Sequence, residues 1–83
     1  MDDKINDAIA LLGQIINDHS IPKNIRRAAR QAVDNLESDD APPVRANGAI
    51  SVLDEISQDP NCPVYSRTKI WQIVSILETI REE

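Results

Sequence analysis

The chain has 83 residues, of which 41% are hydrophobic and 28% are charged, and its net charge is −5. A chain of this length makes one domain with a small core, and its negative charge excludes nucleic-acid binding by the whole surface. A single cysteine cannot form an internal disulfide, and no apolar run is long enough to cross a membrane. We therefore expect one domain in the reducing cytoplasm, without a membrane partner.

A stretch of seventeen residues occurs twice, 41 positions apart. Residues 21–37 read IPKNIRRAARQAVDNLE and residues 62–78 read CPVYSRTKIWQIVSILE, with six identical positions. Further upstream the match places Leu12 over Val52 and Ile16 over Ile56, which gives the second copy one extra residue in its turn. This internal repeat predicts a helical hairpin that is present twice.

Apolar residues at helical spacing predict four helices. The first covers Asp3–Asp18, the second begins near Pro22, the third begins near Pro43, and the fourth ends near Arg81. Asn47-Gly48 is typical of a turn, but the apolar stripe continues across it, so we expect one unbroken third helix. Short connections then predict an all-α, antiparallel up-and-down four-helix bundle, with hairpin 1 over 3–38, a linker over 39–42 and hairpin 2 over 43–82.

The predicted core is aliphatic, because the chain contains one Trp, one Tyr and no Phe. The second helix contributes three alanines and is therefore thin, which allows a neighbouring helix to approach closely. The predicted core residues are Ile5, Ala8, Ile9, Leu12, Ile15, Ile16, Ile25, Ala28, Ala29, Ala32, Val33, Leu36, Ala46, Ala49, Ile50, Leu53, Ile56, Ile70, Ile73, Val74, Leu77 and Ile80.

Three stretches carry a resemblance that extends over essentially the whole chain. They are SIPKNIRRAARQAVDNL, the acidic and proline-containing linker with VRANGAISVLDEIS, and the turn DPNCP followed by RTKIWQIVSILE. They resemble a small archaeal family known as uncharacterised protein family 0147. The resemblance implies a four-helix bundle in an archaeal cytoplasm, and it brings no catalytic residues to this chain.

Basic residues gather at the end of the predicted bundle where the second and fourth helices begin. This basic pole consists of Lys23, Arg26, Arg27, Arg30, Arg67 and Lys69. With the nearby acids Asp18, Asp54, Glu55 and Asp59 the pole carries +2, and the rest of the chain carries −7. Helix starts also favour anions. The pole is therefore either a site for phosphate, RNA or an acidic partner segment, or a set of internal ion pairs in which Arg26 and Arg67 contact these acids. We favour the pairs.

Trp71 lies nearly opposite the apolar stripe of the fourth helix, at the position that Arg30 holds in the first copy of the repeat. With Val64 and the edge residue Val74 it forms a minor apolar stripe, which is the candidate interface. Exposed tryptophan is costly unless something covers it, and tryptophan is enriched among interface anchors. Either a partner covers it, most simply a second copy in a homodimer, or a neighbouring helix or Arg67 does.

His19 and Cys62 occur once each and lie in turns at the basic pole. Their spacing matches no metal motif, and a catalytic pair would lack an orienting third group. Cys62 aligns with Ile21, which favours a buried apolar residue. The sequence has no phosphate-binding loop, dinucleotide fingerprint or nucleophile elbow.

We therefore predict no enzyme and no catalytic, cofactor-binding or metal-binding residues. The preferred function is a non-catalytic protein-interaction or self-associating helical module. The alternative is an RNA- or phosphate-binding accessory protein that uses the basic pole.

Overall fold

The computed structural model describes residues 3–80, which form four helices and no strand. The helices are α1 (Asp3–Ile16), α2 (Lys23–Leu36), α3 (Pro42–Ser57) and α4 (Val64–Leu77). Each helix packs against the next, and α4 returns to α1. The helices enclose one core in a bundle of 37 × 20 × 16 Å. This confirms the predicted all-α up-and-down four-helix bundle.

Prolines set the starts of α2, α3 and α4. Pro22 and Pro63 are the N-cap residues of α2 and α4, with φ of −54° and −60°. At α3 the N-cap is Ala41, and Pro42 is the first helical residue. A proline fits that position because its φ is already helical and the N–H it lacks would be unpaired there. The helix therefore begins one residue earlier than predicted, and the connection covers 37–41 rather than 39–42.

Two helices end earlier than predicted. We expected α1 to reach Asp18 and α4 to reach Arg81, but they end at Ile16 and Leu77. Beyond α4, the N–H of Ile80 donates to the backbone oxygen of Leu77 at 3.1 Å. Such a tight turn takes up carbonyls that the last helical turn leaves unpaired. Arg81 lies outside the described residues.

The buried faces correct the alignment of the two copies. The buried residues pair as Ile5 with Ala46, Ala8 with Ala49 and Leu12 with Leu53. This spacing of 41 is the same as that between α2 and α4. Leu12 therefore corresponds to Leu53 rather than Val52, and the connections 17–22 and 58–63 have equal lengths. The predicted extra residue was wrong, because a one-residue shift rotates a helix by about 100° and would expose its apolar face.

Most of the predicted core residues are buried. At the edge of the core and only partly buried are Ile9, Ile16, Val33, Ile50, Ile56 and Ile80. The prediction omitted Ser66, whose side chain is 0% exposed. No helix within residues 3–80 combines the length and the hydropathy that crossing a bilayer requires.

The thin helix packs as predicted. Of all helix pairs, α2 and α3 make the most extensive contact. Small buried side chains from both helices allow this approach. They are Ala28, Ala29 and Ala32 in α2 and Ala46 and Ala49 in α3.

Candidate functional site

Arg26 and Arg67 are equivalent in the two copies, and both hold the turn in front of their helix. The Nε–H of Arg26 donates to the backbone oxygen of Ile21 at 3.0 Å. Arg67 donates from Nη2 to the equivalent oxygen of Cys62 at 3.3 Å and from Nε to the oxygen of Ser57 at 2.9 Å. Within residues 3–80 these hydrogen bonds go to backbone oxygens, whereas we expected the two side chains to pair with nearby acids. Because Ser57 ends α3, Arg67 caps a carbonyl that the helix leaves unpaired.

Arg45 has the same place in α3, four residues after the N-cap. Its Nη1 donates to the backbone oxygen of Leu36, the last residue of α2, at 2.9 Å. Its Nε is buried and has no hydrogen-bond partner within the described chain. The α2–α3 and α3–α4 connections therefore share one contact. In each, an arginine near the start of a helix donates to a carbonyl at the end of the preceding helix.

Four of the six basic-pole residues surround one concavity on the first hairpin. It has a volume of about 270 Å³ and is lined by Ile16 of α1 and by Lys23, Arg26, Arg27 and Arg30 of α2. Lys23, Arg27 and Arg30 are exposed, whereas Ile16 is half-buried. None of these lining residues is acidic. We call this feature the cationic concavity.

The other two basic-pole residues lie elsewhere. Lys69 donates from Nζ to Oε1 of Gln14 at 3.0 Å and so links α4 to α1. Arg67 donates to the backbone oxygens of Ser57 and Cys62. The predicted basic pole is therefore two structures: a concavity on α2, and two residues of α4 that stabilise the bundle.

The exposed face of α4 carries no charge. Its exposed residues are Val64, Tyr65, Thr68, Trp71, Gln72 and Ser75, and we call them the neutral face. Trp71 is 55% exposed and Val64 is 74% exposed. Within residues 3–80, the exposed residues of each of the other three helices include charged ones. No neighbouring helix covers Trp71 completely.

Val74 does not belong to the neutral face, although we predicted it at the edge of the same apolar stripe. Its side chain is 8% exposed and lies in the core cluster with Ile70 and Leu77. A residue three positions after Trp71 is turned by about 60° from it around the helix axis, which is enough to bring Val74 to the buried side.

The cationic concavity and the neutral face use equivalent positions of the two copies. Lys23 corresponds to Val64, Arg27 to Thr68 and Arg30 to Trp71. The helices and their buried faces are alike in the two copies, but this surface is positive on α2 and uncharged on α4. The two halves of the molecule therefore offer different binding chemistry at the same place.

A chain of hydrogen bonds joins the start of α4 to the connection between α1 and α2. Oδ1 of Asp18 accepts from the N–H of Ser20 at 2.9 Å and from its hydroxyl at 2.6 Å. Because that hydroxyl proton is used, the hydroxyl of Tyr65 must be the donor to Oγ of Ser20, at 2.7 Å. The bonds from the Ser20 hydroxyl and N–H lower the pKa of Asp18 below its ordinary value of 3.8.

Cys62 is a core residue, as its alignment with Ile21 predicted. It is 4% exposed, and burial raises the pKa of its thiol. The thiol therefore stays protonated and unreactive at neutral pH. His19 is exposed. Within the described part of the chain, no three or more His, Cys, Asp or Glu side chains are grouped so that they could hold a metal ion.

These features define a class: a small up-and-down four-helix bundle made of two similar hairpins, with its candidate sites on the outer faces of α2 and α4. The family is shown by the sequence. A sequence profile described as "Uncharacterised protein family (UPF0147)" matches residues 1–80, and the chain belongs to this family.

Relatives and solved structures agree with this assignment. A "UPF0147 protein" of Metallosphaera sedula is 56% identical over 80 residues, which are 95% of this chain and 90% of the relative. The crystal structure of "unknown function protein MMP1188" matches with a TM-score of 0.92 and 44% identity, over 96% of this chain and 92% of that one. A crystal structure of a protein from the same family in Thermoplasma acidophilum matches with a TM-score of 0.90 and 31% identity, over 96% and 95% of the two chains. The predicted family resemblance is confirmed.

Proposed function

We propose that this protein is a non-catalytic interaction module that self-associates through the neutral face of α4. The observation that carries the proposal is the 55% exposure of Trp71 on a helix face without charge. Interface centres are depleted of charged residues and enriched in aromatic ones. Trp71, Tyr65 and Val64 have this composition, and the two aromatic side chains are the only two in the chain.

The charge distribution supports a second copy of this chain as the partner. In a two-fold dimer the same patch meets itself, so a charge near the axis faces a like charge. The exposed residues of α1 include Asp7, those of α2 include Arg27, and those of α3 include Asp54. The neutral face of α4 avoids this repulsion, although the molecule carries a net charge of −5.

The size of the molecule gives a further reason for self-association. A stable interface takes roughly 600–1,000 Å² from each partner, against a total accessible surface of 5125 Å² for this chain. A buried aromatic side chain contributes about 150–250 Å². Trp71 and Tyr65 therefore supply the centre of such a contact, and a domain with so small a core gains apolar burial from it.

The test is the mass of the particle in solution. The wild-type chain of 9.3 kDa should behave as a dimer in light scattering coupled to gel filtration. Trp71→Ala removes the anchor. Truncation of a central tryptophan weakens the binding free energy by about 2 kcal/mol or more. The dissociation constant of the dimer should therefore rise roughly thirtyfold.

Val44→Ala is the matched control, because Val44 is 53% exposed but lies on α3, outside the neutral face. It should leave the dimer intact. A wild-type protein that stays monomeric throughout a concentration series would rule out the proposal. So would a dimer that Trp71→Ala and Val44→Ala affect equally.

A further inference from the structure

We propose that the cationic concavity binds a ligand with two or more adjacent phosphate groups. This site is separate from the neutral face, and the inference does not depend on self-association. It rests on how the basic residues are arranged, on what they lack as neighbours, and on the chemistry of the guanidinium group.

Three of the four basic residues form a row along α2. Lys23, Arg27 and Arg30 are spaced as i, i+4 and i+7, which places them on one face of the helix. At 1.5 Å per residue the row is about 10 Å long. A single phosphate group carries about two negative charges at most. Four positive side chains over this length therefore match a short series of phosphates better than one.

Arg26 completes the concavity from the side. Its Nε–H bond to the oxygen of Ile21 holds the guanidinium in place, and within residues 3–80 its two terminal nitrogens remain available to a ligand. A guanidinium held in this way can pair with two oxygens of a phosphate group at once. The half-buried Ile16 contributes an apolar wall to the concavity.

The position of these residues is unfavourable without an anion. Lys23, Arg26 and Arg27 lie in the first turns of α2, where positive charge opposes the helix dipole. Like charges at i, i+3 and i, i+4 also repel one another. The lining contains no acidic residue that would relieve either effect. A bound polyanion relieves both.

The surroundings favour phosphate over an acidic segment of a partner protein. A protein interface needs an apolar or aromatic centre, and the lining supplies four charged residues and one half-buried isoleucine. It contains no aromatic side chain, so bases of a nucleic acid would not stack there. Contacts would be made to phosphates alone, which carry no sequence information.

Binding should therefore be independent of sequence and strongly dependent on salt. For a single strand, the logarithm of the binding constant falls by roughly 0.7 per neutralised phosphate for each tenfold rise in salt. The direct measurement is fluorescence anisotropy of a labelled single-stranded RNA of mixed sequence at low salt, followed by competition with unlabelled tripolyphosphate.

The decisive variant is Arg27→Gln combined with Arg30→Gln, which should weaken RNA binding about tenfold or more, since each removes a charge-assisted contact. The control is Asn6→Asp combined with Asn47→Asp. It lowers the net charge by the same amount, on exposed positions at the opposite end of the bundle, and should change binding about twofold at most. Trp71→Ala should keep full RNA binding, which separates this site from the dimer contact.

Two results would support the site. If tripolyphosphate displaces RNA, the site accepts phosphates from any source. If the arginine variant loses RNA binding but tripolyphosphate does not displace RNA from the wild type, the site requires a polymer backbone. Three results would overturn it: no RNA binding at low salt, equal weakening by the control, or stronger displacement by poly-glutamate than by tripolyphosphate.

Discussion

At the scale of single residues, Ser66 is the polar side chain that the core does not accommodate. It is 0% exposed, and its Oγ has no hydrogen-bond partner within residues 3–80. In the first copy of the repeat the same position is Ile25, a fully buried apolar residue. A buried hydroxyl that loses its hydrogen bonds to water without replacing them destabilises the folded state.

Ser66→Ala should therefore raise the free energy of unfolding by about 1 kcal/mol, because it removes the unpaired hydroxyl and leaves only a small cavity. Urea denaturation monitored by circular dichroism measures this change. Ser57→Ala is the matched control, since the Ser57 hydroxyl donates to the backbone oxygen of Asp54 at 2.8 Å. That variant should lose about 0.5–1.5 kcal/mol. Equal destabilisation by the two substitutions would contradict the prediction.

At the scale of elements, the two glycines show how differently α1 and α3 are packed. Both lie inside helices, and the sequence correctly predicted that α3 continues through Asn47-Gly48. A Cβ added at Gly13 would have no atom within 4 Å, whereas one added at Gly48 would lie 3.3 Å from Cγ of Asn35. The contrast follows from the close approach of α2 and α3.

Gly13→Ala should stabilise the protein by about 0.5–1 kcal/mol, because alanine loses less backbone entropy in a helix and has space at this position. Gly48→Ala should increase the free energy of unfolding by less, since the Asn35 side chain has to move by a few tenths of an ångström. Thermal unfolding of the two variants under identical conditions tests this order. A larger gain at Gly48, or a loss at Gly13, would be inconsistent with the packing described above.

Helix boundaries show the limit of prediction at this scale. The starts of α2 and α3 were predicted to within one residue, because proline acts locally through its fixed φ. The ends of α1 and α4 were placed too late. At α4 the reason is that Ile80 still packs against the core after the helix has changed to a tight turn. An apolar stripe therefore predicts which residues are buried, and it does not predict where the helix ends.

At the scale of the whole molecule, and within residues 3–80, the hydrogen bonds that join a side chain of one hairpin to a side chain of the other lie at the end of the bundle where α2 and α4 begin. Ser20 pairs with Tyr65, Asn24 with Asp59 at 3.0 Å, and Gln14 with Lys69. Asp18 belongs to this set through its bond from Ser20. Protonation of Asp18 removes the negative charge that strengthens its two bonds from Ser20. Because Ser20 also contacts Tyr65 of the second hairpin, docking of the hairpins should depend on pH.

The direction follows from the lowered pKa of Asp18 in the folded protein. The carboxylate stabilises the fold fully above its unfolded pKa, and this contribution is lost as the pH falls through the folded pKa. Asp18→Ala should thus be less stable than the wild type at pH 7, and the difference should disappear in strong acid. Urea midpoints measured across the acid range test this, with Asp7→Ala, at an exposed acid of the same hairpin, as the control. A difference that persists unchanged below the folded pKa would contradict it.

The sequence by itself determined the features that depend on neighbours in the chain. Apolar spacing and prolines specify four helices, the repeat pairs them into hairpins, and short connections leave the up-and-down bundle as the simple arrangement. The position of Trp71 opposite the core stripe also follows from helical spacing, and the structure leaves it 55% exposed.

Only the tertiary structure decided which groups meet across helices. The rotation of each helix about its axis, fixed by packing of its buried face, set the register of the two copies and separated Val74 from the exposed stripe around Trp71. It also brought Arg67 to the carbonyl of Ser57 and left Arg27 and Arg30 around the cationic concavity. Residues of one charge look alike in a sequence. Their roles separate when folding places a free helix-end carbonyl beside one arginine and solvent beside another.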